Sequence, residues 1–180
     1  LTPLELEQYL HQHIPLTQAM QLRVAAAGPD CVVLTAPLAP NINHRETAFG
    51  GSISALATLA AWSLVYVRMQ RLGLPARVVI HRNTMEYRRP ITGAFAARAA
   101  LTDEQAWEHF AEMFRRRGKA RIVVHAQVVQ LADDESTAAG DEAGVFVGEF
   151  VALGGNLRPP RDTANAPIQG DVRVTGAEGS

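Results

Sequence analysis

From Ser52 to Met69 the chain runs without a proline or a glycine, rich in Ala and Leu, and immediately follows Gly50-Gly51. Such a run favours helix. Its apolar residues (Ile53, Ala55, Leu56, Leu59, Ala60, Trp62, Leu64, Val65) fall on nearly every side of a helix, so the helix cannot lie on a surface and must be wrapped by the rest of the chain. It should extend to about Leu72, where Gly73 and Pro75 stop it. Ser52 reads as an N-cap or first-turn residue after a paired-glycine turn. A bilayer span is the alternative for an apolar helix, but this run is short, carries Ser52, Ser54, Thr58 and Ser63, and sits among strand-like segments.

The flanking sequence supplies the wrapping. Thr2-Pro3-Leu4-Glu5 has the chemistry of a helix start and predicts a short helix to about His13, broken by Ile14-Pro15-Leu16. Met20 to Ala26 and Cys31 to Ala36 are β-prone runs around Gly28-Pro29-Asp30, hence a hairpin. Beyond the central helix, Arg77 to Arg89, Ala94 to Thr102, Ala120 to Leu131 and Val145 to Leu153 read as strands. Between the second and third of these, Ala106, Trp107, Phe110, Met113 and Phe114 recur at helical spacing, which predicts a crossover helix over Asp103 to Arg117. One buried helix and mostly alternating strands specify an α+β architecture, an antiparallel sheet curled around the helix. The free edges of such a sheet predict a homodimer or higher homo-oligomer.

At 180 residues, 47% hydrophobic and with a net charge of −1, the chain predicts one domain over residues 1–153 and a C-terminal tail over 154–180. Near-neutral charge implies neither a nucleic acid nor a membrane partner. Cys31 is the single cysteine, so there is no internal disulfide framework, and its apolar setting reads as a strand residue. The opening residues do not resemble a leader, so a cytoplasmic location is expected. No metal or redox cofactor is implied: His11 and His13 read as helix-end residues, and His81, His109 and His125 lie on separate elements.

The candidate chemistry lies at the start of the central helix. Backbone N–H groups of a first turn lack intrahelical partners and, with the helix dipole, can hold a developing negative charge. Gly50 and Gly51 place no side chain in the way. In the preceding loop, Asn43 could bond a carbonyl or a water, and His44 or Glu46 could accept the water's proton. Each has a plainer alternative: Asn43 also suits a bond to loop backbone groups, Glu46 a solvated charge, and Ser52 fits a helix cap better than a nucleophile.

The segments Leu10-His11-Gln12-His13-Ile14-Pro15-Leu16-Thr17, Ala36-Pro37-Leu38-Ala39-Pro40-Asn41-Ile42-Asn43-His44, Thr47-Ala48-Phe49-Gly50-Gly51-Ser52 and Tyr87-Arg88-Arg89-Pro90 span most of residues 4–153. Together they resemble the hot-dog-fold acyl thioesterases, most closely the thioesterase domain found at the C-terminus of YiiD-type acetyltransferase fusions. The resemblance implies a hot-dog fold and hydrolysis of an acyl-CoA or acyl-carrier-protein thioester. In the related phenylacetyl-type enzymes an Asn precedes a His-Gly-Gly turn. This chain matches with Asn43 and Gly50-Gly51 but has Phe49 where that His stands, and Thr58 where those enzymes carry an acidic helix residue.

On this reading the catalytic candidates are Asn43, His44, Glu46, Gly50, Gly51 and Thr58, and the candidate substrate contacts are Thr47, Phe49, Ser52, Tyr87, Arg88 and Arg89. A hydroxyl such as that of Thr58 is no general base near neutral pH without help, and its plainer role is a bond to a carbonyl one turn back. Arg88 and Arg89, with Arg115, Arg116, Arg117 and Lys119, could meet coenzyme A phosphates or an acidic carrier protein, although the second group also suits a solvated turn. Two further functions stay open: a non-catalytic acyl-thioester binding or scaffold module, and a hydratase or dehydratase on the same fold.

Overall fold

The computed structural model describes residues 1–132 and 142–154; the expected tail over 154–180 lies, apart from Gly154, outside the described residues. Helix α1 spans Pro3–His13 and opens with a reciprocal cap, Glu5 N–H donating to Thr2 Oγ1 and Thr2 N–H to Glu5 Oε2. Pro15 does not simply end it. It sits in the first turn of a second short helix, α2 (Pro15–Ala19), where its missing N–H costs nothing. Met20 closes that helix and Gln21 takes φ 52, so strand β1 (Arg23–Ala27) starts later than the Met20 read from composition. It forms the expected hairpin with β2 (Cys31–Ala36), closed by Gly28 N–H to Cys31 O at 2.9 Å.

The central helix α3 spans Gly50–Arg71. Strand β3 (Arg77–Tyr87), β4 (Phe95–Ala100), helix α4 (Glu104–Arg117), β5 (Lys119–Gln130) and β6 (Glu142–Leu153) complete the described chain. The strands form one six-stranded sheet in the order β1-β2-β4-β5-β6-β3, every adjacent pair antiparallel. The expectation of a crossover helix is corrected here. Strands β4 and β5 are antiparallel neighbours, so α4 elaborates a hairpin connection instead of crossing over. Asp103 caps α4 by accepting from Ala106 N–H at 3.0 Å, and Gly118 closes it at φ 63.

Strand periodicity sets the sidedness of the sheet. In β5, Ala120, Ile122, Val124, Ala126 and Val128 are buried while Lys119, Arg121, Val123, His125 and Gln127 are exposed. The inner face, with Phe95, Ala97, Ala99, Phe146 and Phe150 fully or almost fully buried, packs on Leu56, Ala57, Ala60 and Leu64 of α3. Alanines on both sides let helix and sheet approach closely. By length and composition α3 could cross a bilayer, but most of its surface is taken up inside this core. At its C-terminal end Arg68 is buried, donates to Pro29 O and to the Glu104 carboxylate, and lies 4.5 Å from the Trp107 ring centre. One guanidinium thereby ties α3, α4 and the first hairpin together.

The sheet has two edges, β1 and β3. Helix α1 contacts β1 along its length, with Glu7 receiving Val24 N–H and Arg23. Strand β3 is exposed over almost all of its residues, including Val79 at 38% and Ile80 at 37%.

Candidate active site

The segment before α3 is built on Asn41, which is not among the candidate site residues. Asn41, only 2% exposed, ends a 3-10 turn (Ala39–Asn41) and donates from Nδ2 to Met20 O and Pro37 O, at 3.0 and 2.8 Å. Its carbonyl receives Phe49 N–H at 2.7 Å, while Ala48 N–H reaches Ile91 O at 2.8 Å. The entry to α3 is thereby anchored to three separate parts of the fold.

Between Asn41 and Phe49 the chain makes a small excursion whose base is the Ile42↔Ala48 bridge. Asn43 organises it. Its Oδ1 receives the N–H groups of Arg45 and Thr47, and its Nδ2 donates to Thr47 Oγ1 and Ala48 O. All of its hydrogen-bonding capacity on the donor side is used within the loop, so the plainer alternative describes Asn43: it shapes the loop instead of offering its amide to a substrate. Thr47 is drawn into the same network. His44, Arg45 and Glu46 form the exposed tip, and Glu46 adopts φ 60, a left-handed conformation that costs a non-glycine residue about 1 kcal/mol or more. Among the described residues, no hydrogen bond or ion pair ties the side chains of His44 or Glu46 to the first turn of α3.

That first turn starts earlier than the composition indicates. Phe49 is the N-cap and makes no side-chain capping bond; Gly50 and Gly51 are the first helical residues, and Ser52 is the third. The expected paired-glycine turn is therefore corrected, the glycines being inside the helix, and of the two places expected for Ser52 it takes the first turn and not the N-cap. Ile53 N–H bonds Phe49 O at 3.0 Å, so the amides of Gly50, Gly51 and Ser52 precede the first intrahelical bond and point out of the turn. Around them stand two rings. Phe49, 55% exposed, lies so close to Gly51 that a Cβ there would come within 2.2 Å of its ring. Tyr87, from the end of β3, donates its hydroxyl to Gly50 O at 2.9 Å.

Arg88 is held by Glu86 and Glu142, which reduces its availability to an anionic substrate. Arg89, beside it, is exposed. The Arg115, Arg116 and Arg117 run occupies the last turn of α4, where cations complement the helix dipole, with Arg116 3.6 Å from Glu112. Thr58 is partly exposed, two turns along the same face of the helix from Gly51, and among the described residues its hydroxyl has no bond to a carbonyl one turn back. His11 and His13 bond Leu22 O and Tyr9 O, as helix-end residues.

Further along α3 lies an aromatic stack that sequence alone does not assemble. His13 and Tyr9 from α1 stack at 4.2 Å, Tyr9 on Tyr66 at 4.8 Å, and Tyr66 on Trp62 at 4.9 Å. Burial pushes the Tyr66 phenol up to about 12, with Tyr9 adding to the effect. The folded chain then holds that proton longer than the unfolded chain, whose tyrosine ionises near the ordinary 10.0. Stability is unaffected below that value and falls as pH rises from it towards 12. A spectrophotometric tyrosinate titration is expected to show a step near pH 12 that is missing from Tyr66→Phe; identical curves would contradict the burial of that hydroxyl.

An antiparallel sheet wrapped about one long helix, with that helix left uncapped where the loop meets it, defines a protein of the hot-dog fold. The chain belongs to the YiiD C-terminal family, described as "Putative thioesterase (yiiD_Cterm)", whose pattern matches residues 4–154. Among solved structures it is similar to a protein of unknown function from Chlorobaculum tepidum TLS, at 33% identity over 86% of this chain and 98% of that one, with a TM-score of 0.77. It is also similar to a protein from Shewanella oneidensis described as a "putative thioesterase", at 27% identity over 84% and 96% of the two chains, TM-score 0.71. The PaaI protein of the E. coli phenylacetic acid degradation operon shares the fold at 14% identity, covering 86% and 95%, TM-score 0.61.

Proposed function

We propose that the protein hydrolyses an acyl thioester carried on coenzyme A or on an acyl carrier protein, with water attacking at the N-terminus of α3. The observation that carries this reading is the uncapped first turn, Gly50, Gly51 and Ser52, at the end of a rigidly anchored loop. A helix that begins on Phe49 instead of Ser, Thr, Asp or Asn forgoes about 1 kcal/mol of capping. Free amides are what an oxyanion needs.

In the reaction, water oxygen bonds to the thioester carbonyl carbon, and the carbonyl oxygen takes up negative charge facing the Gly50 and Gly51 amides. A base in the loop, His44 or Glu46, accepts a water proton. The C–S bond then breaks, and the thiolate takes a proton to leave as free thiol beside the new carboxylic acid. Asn43 acts by holding the loop that carries the base, and Thr58, two turns further along the same face of α3, lies beyond the carbonyl. The arginines at the end of α4 are exposed and could meet phosphates.

The exposed edge β3 pairs with a second copy, giving a homodimer that encloses the site. Sedimentation or light scattering at micromolar concentration is expected to return twice the chain mass, and a monomer would remove this part of the reading. Thr58, in place of a helix carboxylate, is the one feature that favours a non-catalytic binding module. Release of free thiol from acyl-CoA by the purified protein separates the two: turnover sustains the hydrolase, and binding without turnover replaces it. Hydration of enoyl-CoA in place of thiol release would identify a hydratase.

A further inference from the structure

From Leu56 to Met69 every residue of α3 is buried except Thr58, Trp62 and Tyr66. Continued towards the N-terminus at helical spacing, this single open line passes Ala55 and reaches Gly51. Its residues change abruptly in size: Gly51, Ala55 and Thr58 are small, Trp62 and Tyr66 are large. The line faces the free edge of the sheet, because β3 is tied near both of its ends to the N-terminal half of α3, by Tyr87 Oη to Gly50 O and by Trp62 Nε1 to Val78 O, each at 2.9 Å. Between those ties β3 turns Ile80 and Met85 to the inner side, since their register partners are the core residues Phe150 and Phe146.

We propose that this seam between α3 and β3 holds the acyl chain and that Trp62 is the stop that sets its length, so that the preferred substrate is a medium-chain acyl thioester. The inference rests on the hydrolase reading for the placement of the carbonyl at Gly51. A helix rises ~1.5 Å per residue, which puts the Trp62 Cα roughly 16 Å beyond Gly51. The indole leans back towards the helix N-terminus, leaving about 12 Å of small-residue floor. An extended chain advances about 1.2 Å per bond, so roughly eight to ten carbons fit. The stop is rigid. Trp62 is fixed at its nitrogen by Val78 O and backed in turn by Tyr66, Tyr9 and His13.

The test is the kcat/KM profile over saturated acyl-CoAs from butanoyl to hexadecanoyl, for the wild type and for Trp62→Ala, Trp62→Leu and Ala55→Leu. The wild type is expected to peak at octanoyl and decanoyl and to fall at least about tenfold by hexadecanoyl, the scale of discrimination a few methylenes supply in an apolar pocket. Removing the indole opens one further turn as far as Tyr66 and should move the peak up by about four carbons. Ala55→Leu fills the floor and should confine activity to the shortest chains. Profiles that superimpose on the wild type in Ala55→Leu and in whichever Trp62 variant folds would overturn the proposal.

A second readout does not depend on chemistry: competition of non-hydrolysable acyl-CoA thioethers against dansyl-undecanoic acid. If no acyl-CoA is hydrolysed but the thioethers compete in the same length order, shifted by Trp62→Ala, the hydrolase reading falls and the acyl seam stands. Hydrolysis without length dependence in either assay has the opposite meaning: the seam is elsewhere and the hydrolase reading survives.

Discussion

Gly51→Val is expected to reduce thioester hydrolysis by at least about 10²-fold, the scale of losing a positioned oxyanion donor, while the protein remains folded. A side chain at this position would meet the Phe49 ring at 2.2 Å, so the ring must swing out and the valine occupies the approach to the amides. Phe49 is exposed and free to give way, which keeps the cost to the fold small. Replacing a helical glycine also removes unfolded-state entropy, so the thermal midpoint should hold or rise even as activity disappears. Gly50→Val should be less clear-cut. There a Cβ has ordinary contact with Tyr87 at 3.5 Å, and only the outer methyl groups press on the ring that bonds Gly50 O. Near-normal thiol release by Gly51→Val, with an unchanged circular dichroism spectrum, would remove the proposed oxyanion site.

That opposition between activity and helix stability explains why the start of α3 was hard to place from sequence. The body of the helix was legible because an all-round apolar run without breakers has few other solutions. Its N-terminus was not, since start signals are capping residues, and this helix has Phe49 at the cap and glycines in its first turn. An N-terminus that is to hold an oxyanion, as proposed for α3, does without those markers, because a capping side chain would occupy the amides. The same reasoning covers Asn41 and Asn43. Both stand in one motif, and sequence gave no means of telling that Asn41 would be buried against Met20 O and Pro37 O while Asn43 would fold the loop around itself. Local pairs were visible in part, Tyr9 with His13 and Trp62 with Tyr66 at one-turn spacing, but their union into one stack is a tertiary fact. The α4 connection differs from its sequence expectation for a related reason: periodicity locates a helix and says nothing of which strands pair on either side of it.

The largest remaining effect concerns the base, and the backbone offers a way to separate the two candidates at the loop tip. Glu46 sits at φ 60, where glycine is at ease and glutamate is not. If Glu46 only completes the turn set by Asn43, Glu46→Gly should leave the rate unchanged and stabilise the protein by a few tenths to about 1 kcal/mol, read from chemical denaturation. His44→Ala should then lower turnover by about 10²-fold or more, the scale of losing a positioned general base. The reverse pattern, an inactive Glu46→Gly beside an active His44→Ala, gives the role to the carboxylate and explains why a strained glutamate is kept where glycine would fit. Asn43→Ala should slow either mechanism by a similar factor, since Arg45 and Thr47 N–H lose the acceptor that shapes the tip. Its pH profile should keep the wild-type shape, because the base is displaced and not removed. Should the three loop variants all retain full activity while Thr58→Ala is inactive, the water is held from the helix, and the loop serves only to anchor the first turn of α3.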